Sequence, residues 1–182
     1  MKVFYTASYY GKTKYQEYYD LVLKTIKQAG CELLSPEIGN YLAVLKLEDY
    51  TKPKSKIKLH YEAVHRGINW AQAVIIEISH EDFQLGHDVS LAIKNKKPVL
   101  CLSIHEDFSK KISSPFFFGA KYNEHNIKKI VGNFIGKTKK ETLNERFNLF
   151  LSRRQITNME EASKKLGMNN SEYLRMLIDK SN

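Results

Sequence analysis

The sequence predicts an α/β fold in which a parallel sheet of about five strands is covered by helices on both faces. Short apolar runs alternate with longer segments whose apolar residues recur every three or four positions, as strands alternate with amphipathic helices. The runs Ala73–Ile78 and Pro98–Leu102 are almost entirely apolar, which is typical of strands buried on both faces of a parallel sheet.

Most of the alternating strands and helices are predicted in the first half of the chain. The predicted strands there are Lys2–Thr6, Glu32–Leu34 and Ala73–Ile78, and the predicted helices are Lys14–Gln28 and Lys58–Gln72. Gly30 is a suitable stop for the first helix, because glycine readily adopts the left-handed conformation that ends helices. Residues 36–57 are predicted to cross the surface, with one short helix.

The stretch from Gln84 to Ser103 is predicted to hold a small-molecule site. Gly86 is expected to open a tight turn, and a helix is expected from Asp88 to Asn95, followed by the strand Pro98–Leu102. Ligands of α/β proteins bind at helix N-termini and at the carboxyl ends of strands, and Asp88 would lie in the first helical turn. The alternative is that Asp88 only interacts with the helix dipole.

The last part of the sheet domain is predicted to contain a short strand at Phe116–Phe118 and a helix at Glu124–Ile135, before a linker. The predicted domains are an α/β domain over 1–135, a linker over 136–144 that contains the run Gly136–Lys140, and a small module over 145–182.

The small module is predicted to contain one strand and two helices. Their predicted bounds are Arg146–Ser152, Ile156–Leu166 and Ser171–Lys180, and Asn169 or Asn170 would cap the second helix. A segment of about forty residues buries little surface alone, so it is expected to dimerise or to dock on its neighbour.

Composition permits nucleic-acid or phosphate partners without requiring them. The net charge is +9, and 22 basic against 14 acidic residues give the first 140 residues a net charge of +8.

Cys31 and Cys101 are expected to be reduced core thiols. The chain lacks an apolar run long enough for a membrane span and a leader-like start, so a cytoplasmic protein without a membrane partner is expected. The histidines lack metal-ligand spacing, and neither a metal nor a cofactor is predicted.

The segment RFNLFLS…EEASKKLGMNNSEYLRMLI resembles the ribbon-helix-helix family. In that family, strands from two protomers pair into a ribbon that enters the DNA major groove, which implies a homodimer and DNA as a partner. The resemblance places Arg146, Asn148 and Phe150 on the face that reads bases. It places the start of the second helix on a DNA phosphate, and the matching residues are Asn169, Asn170 and Ser171.

Three stretches of residues 1–135 resemble the nucleoside 2-deoxyribosyltransferase family, which includes the 2′-deoxynucleoside 5′-phosphate N-hydrolases. They are KVFYTASYYGK, AQAVIIEIS and LGHDVSLAIKNKKPVLCL. The resemblance implies a flavodoxin-like sheet and a nucleoside or nucleotide ligand. The family's nucleophile is a glutamate that attacks the anomeric carbon of the deoxyribose, and Asp88 stands at its position.

The same resemblance implies further ligand contacts. They fall on Ser8, Tyr9 and Gly11 in the first loop, on Tyr19 in the first helix, on Asp82, and on Gly86 and His87 beside the nucleophile position. The sequence departs from the family in two ways. Asp88 is shorter than glutamate by about 1.5 Å, and Val64 stands where the family has an acidic residue, with Glu62 and His65 nearby.

Three functions follow as hypotheses. The first is a nucleoside- or nucleotide-binding domain that is catalytically weak or inactive, fused to a dimeric DNA-binding module. The second is an active N-glycosidic hydrolase or deoxyribosyltransferase that uses Asp88 as its nucleophile and acts on deoxynucleosides or their monophosphates. The third is an interaction protein in which the basic run TKPKSKIK contacts nucleic acid.

Overall fold

The computed structural model describes residues 1–51, 55–141 and 147–181. The five strands are β1 (Lys2–Ala7), β2 (Glu32–Leu34), β3 (Ala73–Glu77), β4 (Val99–Ser103) and β5 (Phe117–Lys121). The helices are α1 (Lys12–Gln28), α2 (Leu47–Thr51), α3 (Lys56–Trp70), α4 (Phe83–Lys94), α5 (Ile127–Glu141), α6 (Arg153–Lys165) and α7 (Asn170–Lys180). Two short 3-10 turns, Pro36–Ile38 and Asn40–Val44, follow β2.

All five strands are parallel and form one sheet in the order β2-β1-β3-β4-β5, which confirms the predicted α/β class and the predicted parallel sheet. β1 and β3 are neighbours, and their last residues, Ala7 and Glu77, are paired. In the sheet, β1 is followed by β2 on one side, while β3 is followed by β4 on the other side. The chain therefore leaves β1 and β3 toward opposite faces of the sheet. Such a reversal opens a crevice at the carboxyl ends of the strands.

Apolar side chains from both faces of the sheet form two cores. On one face, residues of β1 and β4 pack with Tyr19, Val22 and Ile26 of α1 and with the apolar stripe of α5. On the other face, Val64 and Ile68 of α3 and the inward side chains of α4 pack on the sheet. The residues that gave the helical periodicity in the sequence are therefore the ones that cover the sheet.

Helix α4 begins earlier than predicted. Asp82 is its N-cap, Phe83 is its first residue, and the amide of Gly86 donates to the carbonyl of Asp82 at 3.2 Å. The prediction of a glycine turn was wrong, because Gly86 has a helical backbone and a capping aspartate opens the helix four residues before it. Asp88 consequently lies in the second turn, where a dipole interaction is weak.

One other predicted boundary was also wrong, the end of the last helix of the sheet domain. The run Gly136–Lys140, predicted as a linker, is helical because α5 continues to Glu141. Contacts with the sheet domain explain this: Thr138 is buried, and the ammonium of Lys137 lies 4.7 Å from the ring centre of Phe118. By its contacts the chain divides into two compact units, 1–142 and 143–182.

In the second unit the two predicted helices are present and residues 147–152 form no strand. A ribbon strand needs hydrogen bonds from a neighbouring strand, and in the predicted ribbon that neighbour belongs to another protomer. Both helices begin with a capping box, at Ser152 with Gln155 and at Asn169 with Glu172. Within 147–181, Ser163 is the one buried residue, so this unit encloses no apolar core of its own.

Two further findings concern the described residues. Cys31 and Cys101 are free thiols, as predicted, although Cys31 is only partly buried. No helix among them has both the length and the apolar character needed to cross a membrane.

Candidate functional site

The candidate site lies where the loops after β1 and β3 meet. Ser8 follows β1 and is buried, and its Oγ donates a hydrogen bond to Oδ2 of Asp82 at 2.9 Å. The other carboxylate oxygen of Asp82 accepts the amide of Gln84 at 2.9 Å, which caps α4. One side chain thus ties the two loops together and fixes the start of the helix that carries Asp88.

Asp88 projects from the inward face of α4. It is 3% exposed and belongs to the same buried stripe as Leu85, Val89 and Ala92. Burial, and then the charge of Asp82, raise the pKa of Asp88 to about 7. A carboxyl group with this pKa is available at neutral pH either as an acid or as a carboxylate nucleophile, and such groups are concentrated at functional sites.

His87 is the side-chain neighbour of Asp88 toward solvent. Its Nδ1 lies 3.7 Å from Oδ1 of Asp88, and its ring centre lies 5.8 Å from that of Tyr61 on α3. The imidazole side chain is 43% exposed, so it stands between a buried carboxyl and solvent. Its position suits contact with a ligand that reaches Asp88.

Tyr19 and Gly11 meet on the other side of the crevice. Tyr19 is fully buried on α1, and its hydroxyl has no hydrogen-bond partner among the described residues. A Cβ on Gly11 would overlap this hydroxyl and the Cβ of His80. The glycine is therefore required where the loop after β1 crosses Tyr19 and the loop after β3.

Glu77 is a buried carboxyl that the sequence analysis did not select as a site residue. It ends β3, and it accepts hydrogen bonds from the amide and the Oγ of Ser79 and from the hydroxyl of Tyr122 at 3.1 Å. Burial raises its pKa to about 7, although these donors oppose the shift. An acidic residue closing the apolar run AVIIE was the available signal; nothing local in the sequence pointed to Tyr122.

Some predicted residues lie at the rim or outside this cluster. Tyr9 and the adjacent Tyr10 are 76% and 78% exposed, and their rings pack edge to face. Gly86 lies on the exposed side of α4, where a Cβ would meet nothing. Val64 belongs to the core, and Glu62 is held by Arg66 at 2.8 Å, so neither supplies a free acidic group to the crevice.

The residues predicted to contact DNA belong to the second unit. Asn148 and Phe150 are exposed, Phe150 at 99%, and Arg146 lies outside the described residues. Asn169 caps α7, and Oδ1 of Asn170 accepts the hydroxyl of Ser163 at 2.8 Å. With Ser171 they line a surface depression that also includes Lys164 and Arg175.

The structure describes only part of the basic run TKPKSKIK. Lys52 and Lys54 lie outside the described residues, while Lys56 and Lys58 are exposed at the start of α3. Within 1–51, 55–141 and 147–181, no cluster of three or more His, Cys, Asp or Glu side chains could hold a metal ion.

Comparison with known proteins does not assign the chain to a family. No protein-family model matches the sequence, and no curated protein matches it either. The two family resemblances stay predictions that rest on the residues named above.

Proposed function

We propose that residues 1–135 form a nucleoside- or nucleotide-binding domain of the deoxyribosyltransferase type, weakly active or inactive as an enzyme, and that the C-terminal unit is a dimeric ribbon-helix-helix module that binds DNA. The strand order, which is the flavodoxin-like order, supports the fold that this requires. One observation carries the ligand site: Ser8 and Asp82 are hydrogen-bonded across the strand reversal, next to the helix that carries the buried Asp88.

The weak or absent catalysis rests on two features of the site. Asp88 is one methylene shorter than the family's nucleophile, and a misplacement of about 1 Å costs roughly a hundredfold in rate. Val64 is buried in the core where the resemblance expects an acidic residue. Both features support weak or absent catalysis.

The proposal that the module is dimeric rests on the apolar side chains that the second unit exposes. The large exposed side chains are Phe147, Leu149, Phe150, Ile156, Leu166, Met168, Leu177 and Ile178. A pair of helices with no enclosed core needs a partner surface, and a second protomer that pairs along residues 147–151 would supply both strand hydrogen bonds and apolar cover. The full chain is expected to sediment as a dimer, and Leu149→Lys is expected to sediment as a monomer.

The direct test of this function is a gel shift with the full chain, at low salt, with and without deoxynucleosides and their monophosphates. The expected result is DNA binding that a ligand alters. Asn148→Ala should weaken binding by about 1–3 kcal/mol for a lost base contact, and Asn158→Ala, at an exposed position of α6, serves as the control. Absence of DNA binding at low salt, with or without ligand, would contradict the proposal.

The second candidate function is an active N-glycosidic hydrolase or deoxyribosyltransferase. The buried carboxyl of Asp88 beside the strand reversal favours it, because burial raises the pKa of Asp88 to about 7 and carboxyl groups with such values are concentrated at functional sites. The purified chain would release free base from a deoxynucleoside or its monophosphate, detected by chromatography. Asp88→Asn must abolish the release, and release that survives this change would exclude Asp88 as the nucleophile.

A further inference from the structure

A stripe of large side chains lies on the surface where α3 and α4 pack against each other. On α3 it contains Ile57, Tyr61 and His65, and on α4 it contains Phe83 and His87, so successive members on each helix are four residues apart and share one face. Phe83 is 93% exposed and Ile57 is 81% exposed, while His65 is partly exposed. Exposed apolar side chains that lie together, unlike single ones, mark interaction sites.

The packing of the two helices brings the two halves of this stripe together. The ring centre of Tyr61 lies 5.8 Å from that of His87, and further along the helices Asn95 donates a hydrogen bond to Asn69 at 2.6 Å. Each contact joins residues 26 positions apart. The helices therefore run side by side in the same direction and stay in register.

The same register places Ile57 level with Phe83 at the start of the stripe. Further along, the rings of Tyr61 and His65 are stacked, with their centres 6.3 Å apart. The stripe is thus continuous and about 12 Å long from Ile57 to His65. We call these five residues, with His87 as the fifth, the seam patch. Four of its five members are flat rings.

Lysines precede the seam patch along the chain. The run TKPKSKIK carries four lysines and no acidic residue, and it ends in the first turn of α3. Lys56 and Lys58 of this run are exposed and form no ion pair within the described part of the chain. Glu62, the single acidic residue in the sequence of α3, is held by an arginine on the same helix at 2.8 Å. Glu81, before α4, is the exposed opposing charge.

We propose that the seam patch binds single-stranded nucleic acid, with bases stacked on its rings and backbone phosphates on Lys56 and Lys58. Aromatic rings beside positive charge are the features that bind single strands without sequence preference, because every base has a flat face. An acidic protein segment would match the lysines but not the rings. The bases of a duplex are already stacked on each other, so a duplex cannot use this surface. The inference goes beyond the proposed function and does not depend on it.

Fluorescence anisotropy of labelled oligothymidine, oligouridine and a DNA duplex with the full chain tests the stacking. Both single strands are expected to bind at low salt. Phe83→Leu and Tyr61→Leu should each weaken this binding by about tenfold, while Phe83→Trp should keep it. Leucine is apolar but has no flat face, so the loss reports stacking and not apolar contact. Duplex affinity and the Tm should be unchanged in Phe83→Leu, because this side chain is almost fully exposed.

The salt dependence of binding tests the phosphate contacts. Each phosphate contact with a single strand contributes about 0.7 to the slope of log affinity against log salt. The double variant Lys56→Gln with Lys58→Gln should therefore lower the slope by about 1.4. The matched control is Lys128→Gln with Lys129→Gln, which removes the same charge from exposed positions of α5 and should leave the slope unchanged.

Three results would overturn the inference. The first is that the wild type binds neither single strand at low salt, and the second is that both leucine variants bind single strands as tightly as the wild type does. The third is that these variants change the sedimentation of the chain and not its affinity for single strands, which would make the patch an interface between copies. Absence of duplex binding alone would contradict the proposed function and leave this inference standing.

Discussion

Replacing Asp88 by asparagine should stabilise the protein above neutral pH, although it removes the candidate nucleophile. Asp88 is 3% exposed, and burial raises its pKa to about 7 from an ordinary value of 3.8. The folded state therefore binds the proton more tightly than the unfolded state does. Stability from this group is fully present below about pH 4 and is lost as the pH rises to about 7.

The magnitude follows from the size of the shift. One pKa unit corresponds to about 1.4 kcal/mol, so the ionised Asp88 costs the folded state up to about 4 kcal/mol well above pH 7. Between about pH 5 and pH 8 this cost grows by about 3 kcal/mol. Asparagine resembles the protonated form and lacks this dependence, so the stability of Asp88→Asn relative to the wild type should rise by about that amount over the same interval.

Urea unfolding followed by tryptophan fluorescence measures this difference. Trp70 on α3 is the single tryptophan of the chain, so the signal reports the sheet domain. Buried Glu77 has the same sign of pH dependence but is present in both proteins, and its contribution cancels. Asp20→Asn, at an exposed position of α1, serves as the control. A difference between Asp88→Asn and the wild type that is the same at both pH values would refute the reasoning.

Two further substitutions test the crevice, and a third tests helix α4. Tyr122→Phe removes a hydrogen bond to Glu77 and should destabilise the protein by about 1–3 kcal/mol at about pH 8. The loss should be smaller at about pH 5, where Glu77 is protonated, and urea titrations at both pH values measure the difference. Gly86→Ala should stabilise α4 by about 0.5–1 kcal/mol in thermal melts, because the position is helical and open. Gly11→Ala should cost about 1–3 kcal/mol in the same melts, because its Cβ would overlap the Tyr19 hydroxyl, and an unchanged Tm would contradict that contact.

The sheet and its order of elements could be predicted from the sequence because the pattern is strong. The predicted strand Ala73–Ile78 is one residue longer than the observed β3, and Pro98–Leu102 is shifted by one residue from the observed β4. Apolar strands between amphipathic helices leave few alternatives. The predicted last strand, Phe116–Phe118, marks the beginning of β5 but misses its end, because Gly119 and Ala120 carry little strand preference.

The start of α4 was predicted five residues too late, at Asp88 instead of Phe83, because glycine was taken as a helix boundary. The stronger signal was Asp82, whose carboxylate caps the helix through Gln84. The predicted linker failed for a tertiary reason, since Thr138 is buried and Lys137 packs on Phe118, and neither contact is visible in the run GKTKK.

The candidate site could be predicted only in part. Ser8 and Asp82 are hydrogen-bonded to each other and Tyr19 lies beside Gly11 of the first loop, and the segments that carry these residues were identified from the sequence. The bond from Tyr122 to Glu77 could not be foreseen, because it joins two residues whose proximity depends on strand order.

Hydrogen–deuterium exchange of the full chain with a saturating deoxynucleoside tests most directly whether the crevice between β1 and β3 is the ligand site. Protection is expected in the loop after β1, from Ser8 to Lys12, and from Ser79 through the second turn of α4, with little change in β2 and α3 near Trp70. Protection confined to other segments, or none at all at saturation, would contradict the account.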